Sequence, residues 1–318
     1  MKLRKMINLV RNENMKLSHS ISTWIMIGIL VISTVAVGLL IRSGGNEAPE
    51  NDWKSDITIQ NQEIKKELAN PRISKIVEDG YKKELQTNEY RLKHDIQPVQ
   101  ENSVWGFVDE SSSIIFLISL FAIIMGGGIV ANEFSGGTIK LLLIRPSKRF
   151  KILLSKYISV LGYTLFMLLV LLVVSFLIGG TLFSFKGAGT PLTNVGGKIT
   201  EVNMISHIVQ VYGLQCINLV MMVTLAFMIS SVFRNSSMAI GIGVFLLTTA
   251  PLITQQLCSK FSWAKYILFA NTNLNQYITG KPLVEGMTMT FSITVLIAYF
   301  IIFNVIAYVA FIKRDIVA

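Results

Sequence analysis

Six apolar runs constrain this chain more than any other feature. They cover residues 21–41, 114–131, 157–180, 205–232, 238–257 and 291–312, and none contains Asp, Glu, Lys or Arg. Each is 18 to 28 residues long, about enough to cross ~30 Å of hydrocarbon as a helix. Of the 318 residues 52% are hydrophobic and only 15% charged, with a mean hydropathy of +0.55. A single soluble core cannot absorb that much apolar surface. The expected fold class is an all-α polytopic membrane protein with six transmembrane helices. The first run could be confused with a signal peptide, whose apolar core is only ~7–15 residues and ends in a small-residue cleavage site. No convincing site of that kind follows Ile41, so it reads as an uncleaved first span.

The net charge of +10 does not mark a nucleic-acid binder. Residues 42–113 hold 10 basic and 14 acidic residues, so the remaining chain is the basic part, with 19 against 5. Most of those bases flank the apolar runs, which is how Lys and Arg set topology. Segments 1–20, 132–156, 233–237 and 313–318 hold 14 basic residues, while the two shorter connections on the other side hold five. The expected arrangement is a multi-pass protein of a bacterial plasma membrane with both termini cytoplasmic.

Taken in order, residues 1–20 read either as an interfacial helix on the inner leaflet or as a basic tail that orients the first span. Met6, Ile7, Val10 and Leu17 recur near helical spacing among Lys2, Lys5, Arg11 and Lys16. Residues 42–113 form a small, mostly helical extracytoplasmic insertion between spans 1 and 2. Asn70-Pro71 is the expected helix start there, followed by Ile73, Ile76, Val77, Tyr81 and Leu85 on one face. Span 2 ends in Gly126-Gly127-Gly128, which permits close helix approach or a bend. Residues 181–204 read as an outer loop. Span 5 carries a small-residue face, Ala239 to Gly243, and an expected kink at Pro251. Residues 258–288, with Phe261, Trp263, Tyr266, Phe269 and Tyr277, form an outer or re-entrant segment. Cys216 and Cys258 do not make a disulfide framework. His19, His94 and His207 stand apart from any metal-ligand spacing.

The connection 132–156, NEFSGGTIKLLLIRPSKRFKILLSK, carries the functional expectation. It has six basic residues and one acid, Glu133. Gly136 and Gly137 break the preceding helix, Thr138 caps a new turn, and Ile139 to Ile144 are too apolar to lie freely in water. Arg145 and Pro146 close the turn, and Ser147 caps the helix that re-enters the bilayer. This run, Glu133-Phe-Ser-Gly-Gly-Thr138 followed by Lys140-Leu-Leu-Leu and Arg145-Pro146-Ser-Lys-Arg149, resembles the first cytoplasmic loop of ABC-2 type transporter permeases. The resemblance implies a coupling helix docked on a separate ATPase, with the 139–144 face, Leu142 included, in the ATPase groove and Arg145 and Arg149 against its acidic groups. Glu133 pairs with one of these arginines or is a solvated helix-end residue.

Absences complete the reading. No G-x-x-x-x-G-K-[ST] loop occurs, so ATP hydrolysis belongs to another chain. No nucleophile–base pair or H-E-x-x-H motif argues for an enzyme. Charge-free spans disfavour proton-coupled transport, which usually needs intramembrane ionisable groups. The expectation is the permease subunit of an ATP-driven ABC-2 type exporter of an amphipathic or peptide-like compound. It would pair with a second permease copy or a related permease, two ATPase subunits and membrane lipids. No catalytic, metal or cofactor residue is expected in this chain, with ATP and magnesium on the ATPase. The alternative is a membrane-anchored sensor or assembly protein that works through residues 42–113. Copurification of an ATPase separates the two.

Overall fold

Wherever the sequence supplies a hydrocarbon-length apolar run, the chain is helical. The computed structural model describes residues 2–44, 53–70, 73, 75–136, 149–185, 189–195, 198–233 and 235–313, and 83% of it is helix. Amphipathic α1 (Lys2–Ser18) leads into α2 (Ile21–Gly44), the first candidate span. Helices α3 (Trp53–Leu68), α4 (Lys75–His94) and α5 (Val104–Glu110) precede a 3₁₀ turn and α6 (Ile115–Ser135). Then follow α7 (Arg149–Leu182), a hairpin of β1 (Leu192–Val195) and β2 (Lys198–Glu201), α8 (Met204–Phe233) and α9 (Ser236–Lys260). Short α10 (Leu268–Asn271) and α11 (Met289–Lys313) finish the chain. Six helical stretches are long and apolar enough to span a membrane, as expected.

Two of the spans are central. The apolar windows of the α5–α6 stretch and of α8 are 67% and 61% buried, against 17–28% for the other four. The triple glycine explains the intimacy of that pair and of the neighbouring α9. A Cβ on Gly126 would sit 3.1 Å from Ala226 Cβ, and one on Gly127 would sit 3.2 Å from Ile240. Small residues thus let the backbones of α6, α8 and α9 approach closely, as in other membrane bundles. Peripheral α2, α7, α9 and α11 show apolar faces outward, for example Ile32, Leu169, Phe245 and Ile301.

The bundle has two unlike ends. At one, here the α1 end, α1 lies against α7, and α6 and α11 finish. The distal end holds α3, α4, the hairpin and residues 261–288. There the expected helix start at Asn70-Pro71 is displaced. The helix begins at Lys75, and Asn70 instead ends a turn after α3, its N–H donating to Glu67 O at 3.0 Å. Val77 lies 44% exposed, off the expected apolar face. Between α3 and α4, Ile57 and Ile64 are buried, and Asn88 donates to Asn61 across the pair at 2.9 Å. The 181–204 connection, read as a loop, contains the antiparallel hairpin, with Thr193 opposite Thr200.

Residues 258–288 are neither a plain loop nor a spanning helix. They fold into short turns, Ser262–Tyr266, α10 and Leu274–Tyr277, that plug the bundle with Ala264, Ala270 and Leu274 at no more than 1% exposure. Buried amides satisfy the irregular backbone, which is obligatory away from water. Asn271 donates to Lys265 O and Ile267 O, both at 2.8 Å, and accepts from Ser292 at 2.6 Å. Gln276 donates to Ala270 O and accepts from Leu283 N–H. Cys216 and Cys258 are free thiols in separate clusters.

Candidate functional site at the α1 end

The candidate site lies where α7 is longer than the hydrocarbon requires. Helix α7 has 34 residues, or about 51 Å at 1.5 Å per residue, some 20 Å more than hydrocarbon requires. That excess lets Arg149 stand at the membrane boundary and leaves Lys156, about 10 Å from the start, short of mid-depth. Lys156 is nonetheless only 2% exposed. Its ammonium donates to Glu133 Oε1 at 2.8 Å and to Glu13 Oε2 at 3.0 Å. Lys16 completes the cluster from the outside, 3.4 Å from Glu133 and 3.9 Å from Glu13. Two carboxylates and two ammoniums balance, which is the condition for burying charge.

The cluster joins three elements that are remote in sequence. Glu13 comes from α1, Glu133 from the last turn of α6 and Lys156 from α7. Neutral contacts extend the seam: Ser159 donates to Val10 O at 3.4 Å, and Tyr163 donates to Thr23 O at 3.1 Å. On the other face of α6, the Ala131 N–H donates to Ser230 Oγ of α8 at 3.0 Å. The two helix ends that border the 137–148 connection are therefore tied to each other, to α1 and to α8.

Each expected site residue has a definite standing. Glu133 meets Lys156 and Lys16 with its side chain only 13% exposed, so it is no solvated helix end, and Arg145, one of the arginines expected beside it, lies outside the described residues. Gly136 caps α6, with φ −84° and its N–H on Asn132 O at 2.9 Å. Arg149 opens α7, and its guanidinium donates to Ile312 O at the end of α11, 3.4 Å away. Gly137, Thr138, Leu142, Arg145 and Pro146 lie outside the described residues. Sequence reasoning missed Glu13 and placed Lys156 among topology-setting bases. The available signal was modest: Glu13 is the sole acid of the basic stretch 1–20.

Among the described residues there is no group of three or more His, Cys, Asp or Glu side chains able to hold a metal. The charged cluster joins α1, α6 and α7. A family model described as "Protein of unknown function (DUF2705)" matches residues 80–317. The chain belongs to the DUF2705 family. A relative from Bacillus subtilis (strain 168), "Uncharacterized protein YhcI", is 44% identical over 314 residues, covering 98% of this chain and 99% of the relative. A second from the same organism, "Uncharacterized membrane protein YdbK", is 34% identical over 213 residues, or 66% of this chain and 82% of the relative.

These matches correct the resemblance to ABC-2 type permeases, since no ABC-2 family matches this DUF2705 chain. The likeness rested on about twenty residues. A glycine break, an apolar turn and basic flanks are what a short connection between two spans needs at any membrane surface. This DUF2705 chain is a multi-pass membrane protein.

Proposed function

We propose that this chain is the membrane-spanning subunit of an exporter that takes its energy from a separate ATPase. The observation that carries the reading is the pinning of both ends of the 137–148 connection by the Glu13–Lys156–Glu133 cluster. A push delivered to a loose loop is dissipated, whereas one delivered to clamped helix ends moves α6 and α7 together. Helix α6 is one of the two central spans, so such a push reaches the middle of the bundle.

Supporting features are the apolar run Ile139–Ile144 inside a basic connection, the absence of a phosphate-binding loop, and spans free of ionisable groups at mid-depth. The basic bias of 1–20 and 132–156 puts the α1 end, and both termini, in the cytoplasm. Leu142 and its neighbours then enter a groove of the ATPase, with Arg145 against an acidic group, and the 42–113 insertion faces outward as a cover of the distal mouth. An uncharged, apolar bundle suits an amphipathic or peptide-like cargo. Detergent pull-down of the tagged full chain, followed by an ATP hydrolysis assay, tests the reading. The expected result is a stoichiometric ATPase that is lost with Leu142→Asp. A clean chain without any hydrolase sinks it and returns attention to ligands of residues 42–113.

A further inference from the structure

Helices α7 and α11 separate at the α1 end and leave a groove of about 190 Å³ between them. Its floor is Leu153, Tyr157 and Ala307, each no more than 6% exposed, and its walls are Phe150, Val305 and Tyr308, 42–54% exposed. Phe150 and Tyr308 meet edge to face, ring centres 5.6 Å apart, at the boundary end. From Phe150 to Tyr157 the groove runs about 10 Å along α7, comparable with the ~15 Å of one leaflet. An open apolar groove at that depth faces lipid chains.

The mouth of the groove is cationic. Arg149 sits one residue before Phe150, exposed, and spends one of its N–H donors on Ile312 O of the facing helix. A guanidinium has five such donors in a fixed fork, so others remain for an anion. Lys151 follows Phe150 on the opposite flank of the same turn. The nearest described acids at this end, Glu13 and Glu133, are both engaged by Lys156. Charge above, apolar surface below and leaflet depth together match one kind of occupant.

We propose that the α7–α11 groove is a binding site for an anionic phospholipid, with an acyl chain along Leu153, Tyr157 and Ala307 and the phosphate on Arg149. The site is independent of the exporter reading. It gives the α1 end a second tie, in which a lipid bridges α7 to α11 just as Lys156 bridges α7 to α1 and α6. Arg149 prefers a phosphate diester flanked by no cation, so phosphatidylglycerol binds well and zwitterionic phosphatidylcholine poorly.

Native mass spectrometry of the full chain in detergent, titrated with dioleoylphosphatidylglycerol or dioleoylphosphatidylcholine, tests this. The expected result is a preference of about fivefold or more for phosphatidylglycerol, the scale of one basic residue against an anionic lipid. Arg149→Gln removes the preference, Arg149→Lys keeps most of it, and Val305→Trp weakens both lipids by filling the groove. Arg149 and Val305 are exposed, and circular dichroism checks that all variants stay helical. Equal binding of the two lipids by the unaltered chain overturns the proposal, and so does an undiminished preference in Arg149→Gln. A chain dimer abolished by Val305→Trp also overturns it, because the groove then belongs to a second copy.

Discussion

The two ends of the bundle are held together by opposite means. At the α1 end a buried lysine bridges two glutamates from separate helices, with a second lysine at the rim. At the distal end the buried groups of the plug are neutral, with Asn271, Gln276, Ser292 and Tyr277 satisfying the irregular turns between α9 and α11, while the charged tie from Lys281 to Glu84 of α4, at 2.8 Å, is partly exposed. Both solutions obey the same rule, that polar groups removed from water must be paired. They differ in what they fix. Amides hold a backbone shape that the chain must keep, while charges join elements more than a hundred residues apart in sequence. The amide end is a plug, and the charged end is a clamp.

Breaking the clamp should cost most. Lys156→Met leaves Glu13 and Glu133 facing each other in a buried site, and a loss of about 3–5 kcal/mol is expected, read as a fall in the detergent unfolding midpoint. A drop no larger than that of a surface variant would mean that the cluster is solvated. The plug comes next. Asn271→Ala takes the amide donor from the Lys265 carbonyl and one partner each from the Ile267 carbonyl, which keeps the Ala270 N–H, and the Ser292 hydroxyl, which keeps Tyr277, at about 1–3 kcal/mol. If the plug rather than the clamp governs stability, this variant will unfold first.

Between the two ends, Gly243→Ala places a methyl 2.5 Å from Ile123 Cγ2. Since a side chain can give way, about 1 kcal/mol is expected, measurable in the same assay. The smallest effect belongs to the rim: Lys16 is half exposed, so Lys16→Gln should cost under about 1 kcal/mol and lose even that in high salt. A salt-independent effect would put Lys16 inside the clamp.

What the residues revealed on their own follows from range. Each span was legible because twenty apolar residues cannot be hidden, and the triple glycine announced close packing of α6. The extents were less so: the apolar run starts at 157, whereas α7 begins at Arg149, as the cap expected at Ser147 allows, because Ile152, Leu153 and Leu154 continue its buried face across Lys151 and Lys156. The hairpin passed for a loop although Gly196-Gly197 stands between its strands, because four-residue strands give too little alternation to read. The clamp was invisible for a deeper reason. Glu13 and Lys156 are 143 positions apart, and no local period reports such a pair. The family was misread likewise, because a likeness centred on about twenty residues of one connection stood in for a family model that spans residues 80–317.

The central claim is that clamped helix ends present the 137–148 connection to an ATPase. The most direct test is to capture partners with tagged Lys156→Met, which keeps every residue of that connection unchanged, and to compare bound ATP hydrolysis with that of the unaltered chain. The account predicts that the unaltered chain retains the ATPase and that Lys156→Met, still inserted in the membrane, loses most of it. Full capture and hydrolysis with Lys156→Met would contradict the claim, since docking would then need no clamp.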